Sequence, residues 1–114
     1  TLTPEEVVVE ILETVKPGKK LLAICKNLHD KGYTIALDDY IHQAVWQHFY
    51  PFIHIIKIDW QVTSLETIKA VKFAIKNFPH IKLLAEKVET YEEYNQALAA
   101  LSRFLFRKTR NGKN

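Results

Sequence analysis

Acidic residues recur where this sequence stops being apolar. Val7-Val8-Val9 runs into Glu10, with Glu13 close behind. Ile35-Ala36-Leu37 runs into Asp38-Asp39, and Ile55-Ile56 runs into Lys57-Ile58-Asp59. Leu83-Leu84-Ala85 runs into Glu86, with Glu89 just after it. Carboxylates gathered from neighbouring segments repel one another unless something positive lies between them. Hard divalent cations such as Mg²⁺ or Mn²⁺, which take oxygen ligands, answer that need. Two such ions would clamp a phosphodiester and activate a water. A lysine among the acids would neutralise a ligand, orient the water or steady a phosphate. The same residues also admit a structural reading: Asp38 as a helix cap, Asp59 as a turn residue, and Lys57 with Glu86 as an ion pair.

Chemistry of this kind needs elements that bring the strand ends together. The runs at 7–11, 33–38, 52–59 and 81–86 read as strands covered on both faces. Between them lie helical patterns. Leu21, Leu22, Cys25 and Leu28 share a face over 17–32, where Gly32 supplies a stop. The stretch 42–49 reads as a short helix ended by Pro51. Over 63–78 the stripe is Leu65, Ile68, Val71, Ile75 and Phe78, opened by a Thr63/Glu66 capping box. Residues 90–101 form a last helix, with Thr90 and Glu93 as a second box, and Thr3 to Glu6 make one helical turn. Strand–helix alternation predicts an α/β fold with a parallel sheet. It is either a small open doubly wound sheet or an arc of a (β/α)8 barrel, and both gather chemistry at the carboxyl ends of their strands.

Composition narrows the class. A chain of 114 residues supports one compact domain, and 47% hydrophobic with 25% charged residues is ordinary for a globular protein. No apolar run is long enough to span a membrane. The lone Cys25 cannot form an internal disulfide, which fits a reducing, cytoplasmic setting. The absence of methionine implies that residue 1 is not a translation start. The net charge of +3 resides in the end of the chain. Arg103, Arg107, Lys108, Arg110 and Lys113 stand there without an acid, and taking those five from 16 leaves 11 basic residues against 13 acidic ones. Without interleaved aromatic residues at its end, that tail does not predict nucleic acid as a partner. The expected organisation is a domain over 1–101 and a basic tail over 102–114, disordered or the product of a shifted reading frame.

Taken together, "EILET", "YTIALDDY", "IIKID" and "LLAEKVET" resemble, in order and spacing, the motifs of the EAL domain. That family is a bacterial (β/α)8 barrel that binds cyclic di-GMP and, in active members, hydrolyses it with two divalent metals. The resemblance covers about residues 4 to 100 and is greatest to the EAL half of EAL–HDOD signalling proteins of the YuxH type. It implies a partial barrel, about half of the usual length. It also implies that Glu10, Asp38, Asp39 and Glu86 stand at metal-ligand positions and that Lys57, Asp59 and Glu89 stand at catalytic ones. Mg²⁺ or Mn²⁺ would be the expected cofactor, held weakly or not at all by this chain. Exposed sheet edges would favour a homodimer or higher oligomer.

Departures from the family pattern shape the functional expectation. The family loop "DDFGTGYSS" reads "DDYIHQAVW" here, so residues such as Ile41, His42 and Ala44 stand where glycines permit unusual backbone conformations. Trp46, Phe49 and Tyr50 are expected to pack as a hydrophobic plug. His42, His48 and His54 lack the i, i+4 spacing of a helical ligand pair. Lys87 stands where the family has glycine. The "E-x-L-x-R" and closing "GFDYxQGYxF" motifs do not occur in this sequence. The favoured reading is a signalling-family segment without catalysis. A metal-dependent phosphodiesterase, a nucleotide- or protein-binding module and a purely structural fragment stand as alternatives.

Overall fold

The computed structural model describes residues 3–12, 14–38, 43–101 and 104–108, the last segment as backbone only. Five strands, β1 (Val8–Ile11), β2 (Thr34–Leu37), β3 (Ile55–Asp59), β4 (Lys82–Val88) and β5 (Phe104–Lys108), lie in the order β1-β2-β3-β4-β5. Every neighbouring pair is parallel. Helices α1 (Lys19–Asp30), α2 (Leu65–Ala74) and α3 (Tyr91–Ala100) make three of the crossovers, as parallel neighbours require. The β2–β3 connection instead uses two 3₁₀ turns, Ala44–His48 and Tyr50–Phe52. This is a run of βα repeats forming part of a barrel, open at β1 and β5 among the described residues.

The pleat sorts the strand residues. Ile35, Leu37, Ile56, Ile58, Leu83 and Ala85 alternate onto one face and are buried. They share one core with Cys25 of α1, Ile68 and Val71 of α2, and Ala97 of α3. Residues in between fall on the opposite face. Glu10 pairs with Ala36, Ala36 with Ile55, Lys57 with Leu84, and Asp59 with Glu86. The ionisable residues therefore share the face turned away from the helices, at the carboxyl ends of the strands.

Several local signals act as the sequence suggests. Gly32 adopts φ +92. Its N–H donates to the His29 carbonyl at 3.0 Å, and that of Tyr33 to the Leu28 carbonyl at 3.1 Å. This pair of bonds is a Schellman stop for α1. Thr90 caps α3 by accepting from the Glu93 N–H. Trp46, Phe49 and Tyr50 are buried, with Trp46 and Phe49 ring centroids 4.9 Å apart, so the plug forms.

Other elements differ from expectation. The cap of α2 is Ser64, which accepts from the Thr67 N–H, rather than Thr63. Leu65 is 59% exposed and does not join the buried stripe, because it occupies the first helical position, ahead of the face that meets the sheet. The strand expected from residue 52 begins at Ile55, because Pro51 sits early in a 3₁₀ turn that its fixed φ favours. The segment expected to be a basic tail contributes β5. Its backbone pairs with β4 from Leu83↔Phe104 onward, satisfying groups that an edge would leave open.

Candidate functional site

Lys57 is the centre of the strand-end rim. It lies on β3, flanked by strands on both sides, and is the buried charged residue among the described residues, at 5% exposure. Its Nζ lies 2.5 Å from Glu10 Oε2 and 3.8 Å from Glu86 Oε2. The two glutamates are more open, with side chains 39% and 18% exposed. A buried ammonium requires such partners, since unpaired burial of a charge is strongly unfavourable. Three residues from three strands thus meet as one acid–lysine–acid constellation.

A second constellation lies beside it. Asp59 Oδ1 accepts the Gln61 N–H at 2.9 Å, the turn geometry expected of an aspartate ending a strand. Its Oδ2 is 2.9 Å from Lys87 Nζ. Lys87 has φ +64, the left-handed region, and is the one non-glycine residue there among the described residues. Gln61 Nε2 donates to the Lys87 carbonyl at 2.7 Å and reaches the Glu93 carboxylate at 3.1 Å and 3.2 Å. Glu93 Oε1 also accepts the Glu89 N–H at 2.9 Å. The Glu89 N–H first, and Gln61 next, hold the Glu93 carboxyl below its usual range.

The placement of the expected site residues is therefore uneven. Glu10, Lys57 and Glu86 meet directly. Asp59 stands on the same rim but pairs with Lys87. Asp38 follows the last residue of β2, is half-buried, and donates its N–H to the Ile11 carbonyl at 2.9 Å. Glu89 is exposed and is held through its backbone. Asp39 and His42 lie outside the described residues. Gln61 and Glu93 were not legible as members of the rim, because the bonds that recruit them join separate loops. Lys87 carried a signal, as a bulky residue in a glycine position.

These residues do not by themselves fit a two-metal centre. The Lys57 ammonium lies between two of the expected ligands, and that of Lys87 lies on a neighbouring carboxylate. No group of three or more His, Cys, Asp or Glu that could hold a metal ion occurs among the described residues. Three histidines form a separate cluster. His54 stacks on His29 at 5.4 Å and meets His80 edge-on at 6.3 Å. His54 Nδ1 accepts the Ile35 N–H at 3.1 Å. His54 and His80 precede β3 and β4, so the cluster lies at the end of the sheet opposite the rim.

Comparison with known proteins agrees with this fold. No family model matches the chain. The chain is 39% identical over 100 residues to the cyclic di-GMP phosphodiesterase CdgJ of Vibrio cholerae, covering 85% of this chain and 23% of that protein. It is 32% identical over 103 residues to the uncharacterised protein YuxH of Bacillus subtilis, covering 86% and 25%. Among solved structures, Bacillus subtilis YkuI, which has an EAL domain and was crystallised with cyclic di-GMP and calcium, superposes with a TM-score of 0.76. The identity is 18%, over 90% of this chain and 27% of that one. The class is therefore a parallel βα-repeat protein whose fold is part of an EAL-domain barrel. By fold the chain is similar to part of an EAL-domain barrel and by sequence to part of a cyclic di-GMP phosphodiesterase, and it spans about a quarter of the length of the curated relatives it matches. No helix among the described residues is long and apolar enough to cross a membrane.

Proposed function

We propose that this chain is a signal-transduction segment of the cyclic-di-GMP phosphodiesterase family that binds the dinucleotide at its strand-end rim and does not hydrolyse it. The observation that carries this reading is the Lys57 ammonium held between Glu10 and Glu86. In that arrangement the acids neutralise a lysine, and the lysine remains positioned to steady a phosphate. On this reading Glu10, Asp38, Asp39 and Glu86 occupy the family's ligand positions, and Lys57, Asp59 and Glu89 its catalytic ones, in a rim that binds without turnover. Hydrolysis dependent on Mg²⁺ or Mn²⁺ is the second reading, favoured by Asp38 standing on the same face as Lys57 at the adjacent strand end.

The test is incubation with cyclic di-GMP and either ion, followed by chromatography, alongside calorimetry. Heat of binding without linear dinucleotide is the expected result. Linear product that disappears in Lys57→Ala would replace this reading with the second. Neither heat nor product would remove both.

Two further parts of the proposal follow from the fold. The open β1 edge, where Val8 is 49% exposed, pairs with a second copy of the chain. Light scattering at tens of micromolar should then give a dimer or larger species, and a monomer would contradict it. The buried free thiol of Cys25 suits a cytoplasmic protein.

A further inference from the structure

We infer that Lys87 is a tethered counter-ion for Asp59 that keeps divalent cations off this rim. The inference rests on the reading of the rim as the dinucleotide-binding edge and concerns how its acids are balanced. Three observations lead to it. First, Lys87 adopts φ +64, where an L side chain crowds the backbone and glycine is the ordinary occupant. Second, that conformation is held from two sides. The Lys87 carbonyl accepts from Gln61 Nε2 at 2.7 Å, and its ammonium meets Asp59 Oδ2 at 2.9 Å. The Gln61 N–H occupies the other Asp59 oxygen at 2.9 Å, so three residues close a ring over the ends of β3 and β4. Third, the bend coincides with a register irregularity between Ala85 and Val88. Such a bulge re-aims a side chain out of the regular pleat, here across to the neighbouring strand.

The consequence is electrostatic. Lys57 serves Glu10 and Glu86, and Lys87 serves Asp59, so three carboxylates carry two ammoniums fixed to the chain. A divalent ion entering at Asp59 must displace one ammonium and approach the other, and both steps oppose it. The Lys87 side chain is 59% exposed, which leaves its charge within reach of an anion. The rim is thereby suited to a phosphodiester without an added metal.

The test titrates Mn²⁺ alone into the full chain and reads the free ion by electron paramagnetic resonance. Lys87→Asn removes the charge and tolerates the left-handed conformation, Lys87→Gly removes both charge and crowding, and Lys87→Arg keeps the charge. Loss of the charge should tighten Mn²⁺ binding about tenfold or more, while Lys87→Arg stays like the parent. Adding Asp59→Asn to Lys87→Asn should cancel the gain. Equal Mn²⁺ affinity in the parent, Lys87→Asn and Lys87→Gly, including no binding by any of them, overturns the inference. So does a gain in Lys87→Arg equal to that in Lys87→Asn. Cyclic di-GMP is absent from this titration. A chain that fails to bind the dinucleotide but gains Mn²⁺ affinity on losing Lys87 would sink the proposed function and leave this inference standing.

Discussion

Replacing Lys57 by methionine isolates the charge at the centre of the rim, because methionine keeps most of the buried stem. The Glu86 carboxylate is 3.8 Å from the ammonium. At that separation the gross attraction is about 4 kcal/mol at the effective dielectric of a partly buried pair and about 1 kcal/mol in water. The Glu10 contact is shorter, but its side chain is 39% exposed and sits nearer the screened limit. Desolvation of Lys57 offsets part of both. Methionine relieves that cost and leaves two carboxylates facing each other, so the net loss should be about 2 kcal/mol at neutral pH. In a domain of this size that corresponds to a melting temperature lower by about 8 °C. Urea unfolding followed by tryptophan fluorescence measures it, since Trp46 is buried in the core. Adding Glu86→Gln to Lys57→Met should recover part of the loss by removing one stranded charge. A single variant within about 0.5 kcal/mol of the parent, with no recovery in the double, would show that the constellation is solvated and that the rim argument is wrong.

Three other outcomes follow from named contacts. Burial, then the charges of His29 and His80, push His54 below its ordinary 6.5. The unfolded chain therefore takes up the proton first: stability is full above about pH 6.5 and declines as the pH falls below it. His54→Gln, whose amide oxygen can still accept from Ile35, should flatten that decline in urea titrations between about pH 7.5 and about pH 5.5. Burial pushes the Cys25 thiol up from 9.0 to about 11, so near pH 8 the folded chain should react with a thiol reagent about a hundredfold more slowly than the chain in urea. Equal rates would place Cys25 at the surface. Ser64→Ala should cost about 1 kcal/mol through loss of the bond to the Thr67 N–H, and Thr63→Ala should cost less; the reverse order would return the α2 cap to Thr63.

Much of the architecture was legible because the signals are local. The continuous apolar runs along 33–38 and 81–86 mark strands covered on both faces, and Gly32 marks a helix end by a conformation other residues avoid. The acids at the ends of apolar runs announced a rim before any coordinate did. Where neighbouring signals compete, the sequence was less decisive. Thr63 and Ser64 are both good caps; in the structure Ser64 caps α2, while the Thr63 N–H donates to the Asp59 carbonyl at 3.1 Å. Pro51 was legible as a helix stop but not as part of a turn of its own. The basic charge after Leu101 masked an apolar run, Phe104-Leu105-Phe106, whose backbone adds a strand to the sheet beside β4.

The sequence by itself located most of the strands and helices and placed acids at the strand ends, since each depends on neighbours a few positions away. Only the tertiary structure decided that Lys57 joins Glu10 and Glu86, that Asp59 instead takes Lys87, and that His54 meets His29 and His80. Those pairings join residues far apart in the chain. They are fixed by strand register and by packing against one shared core, and a lysine's choice between several acids is settled by which of them the fold brings within a few ångströms.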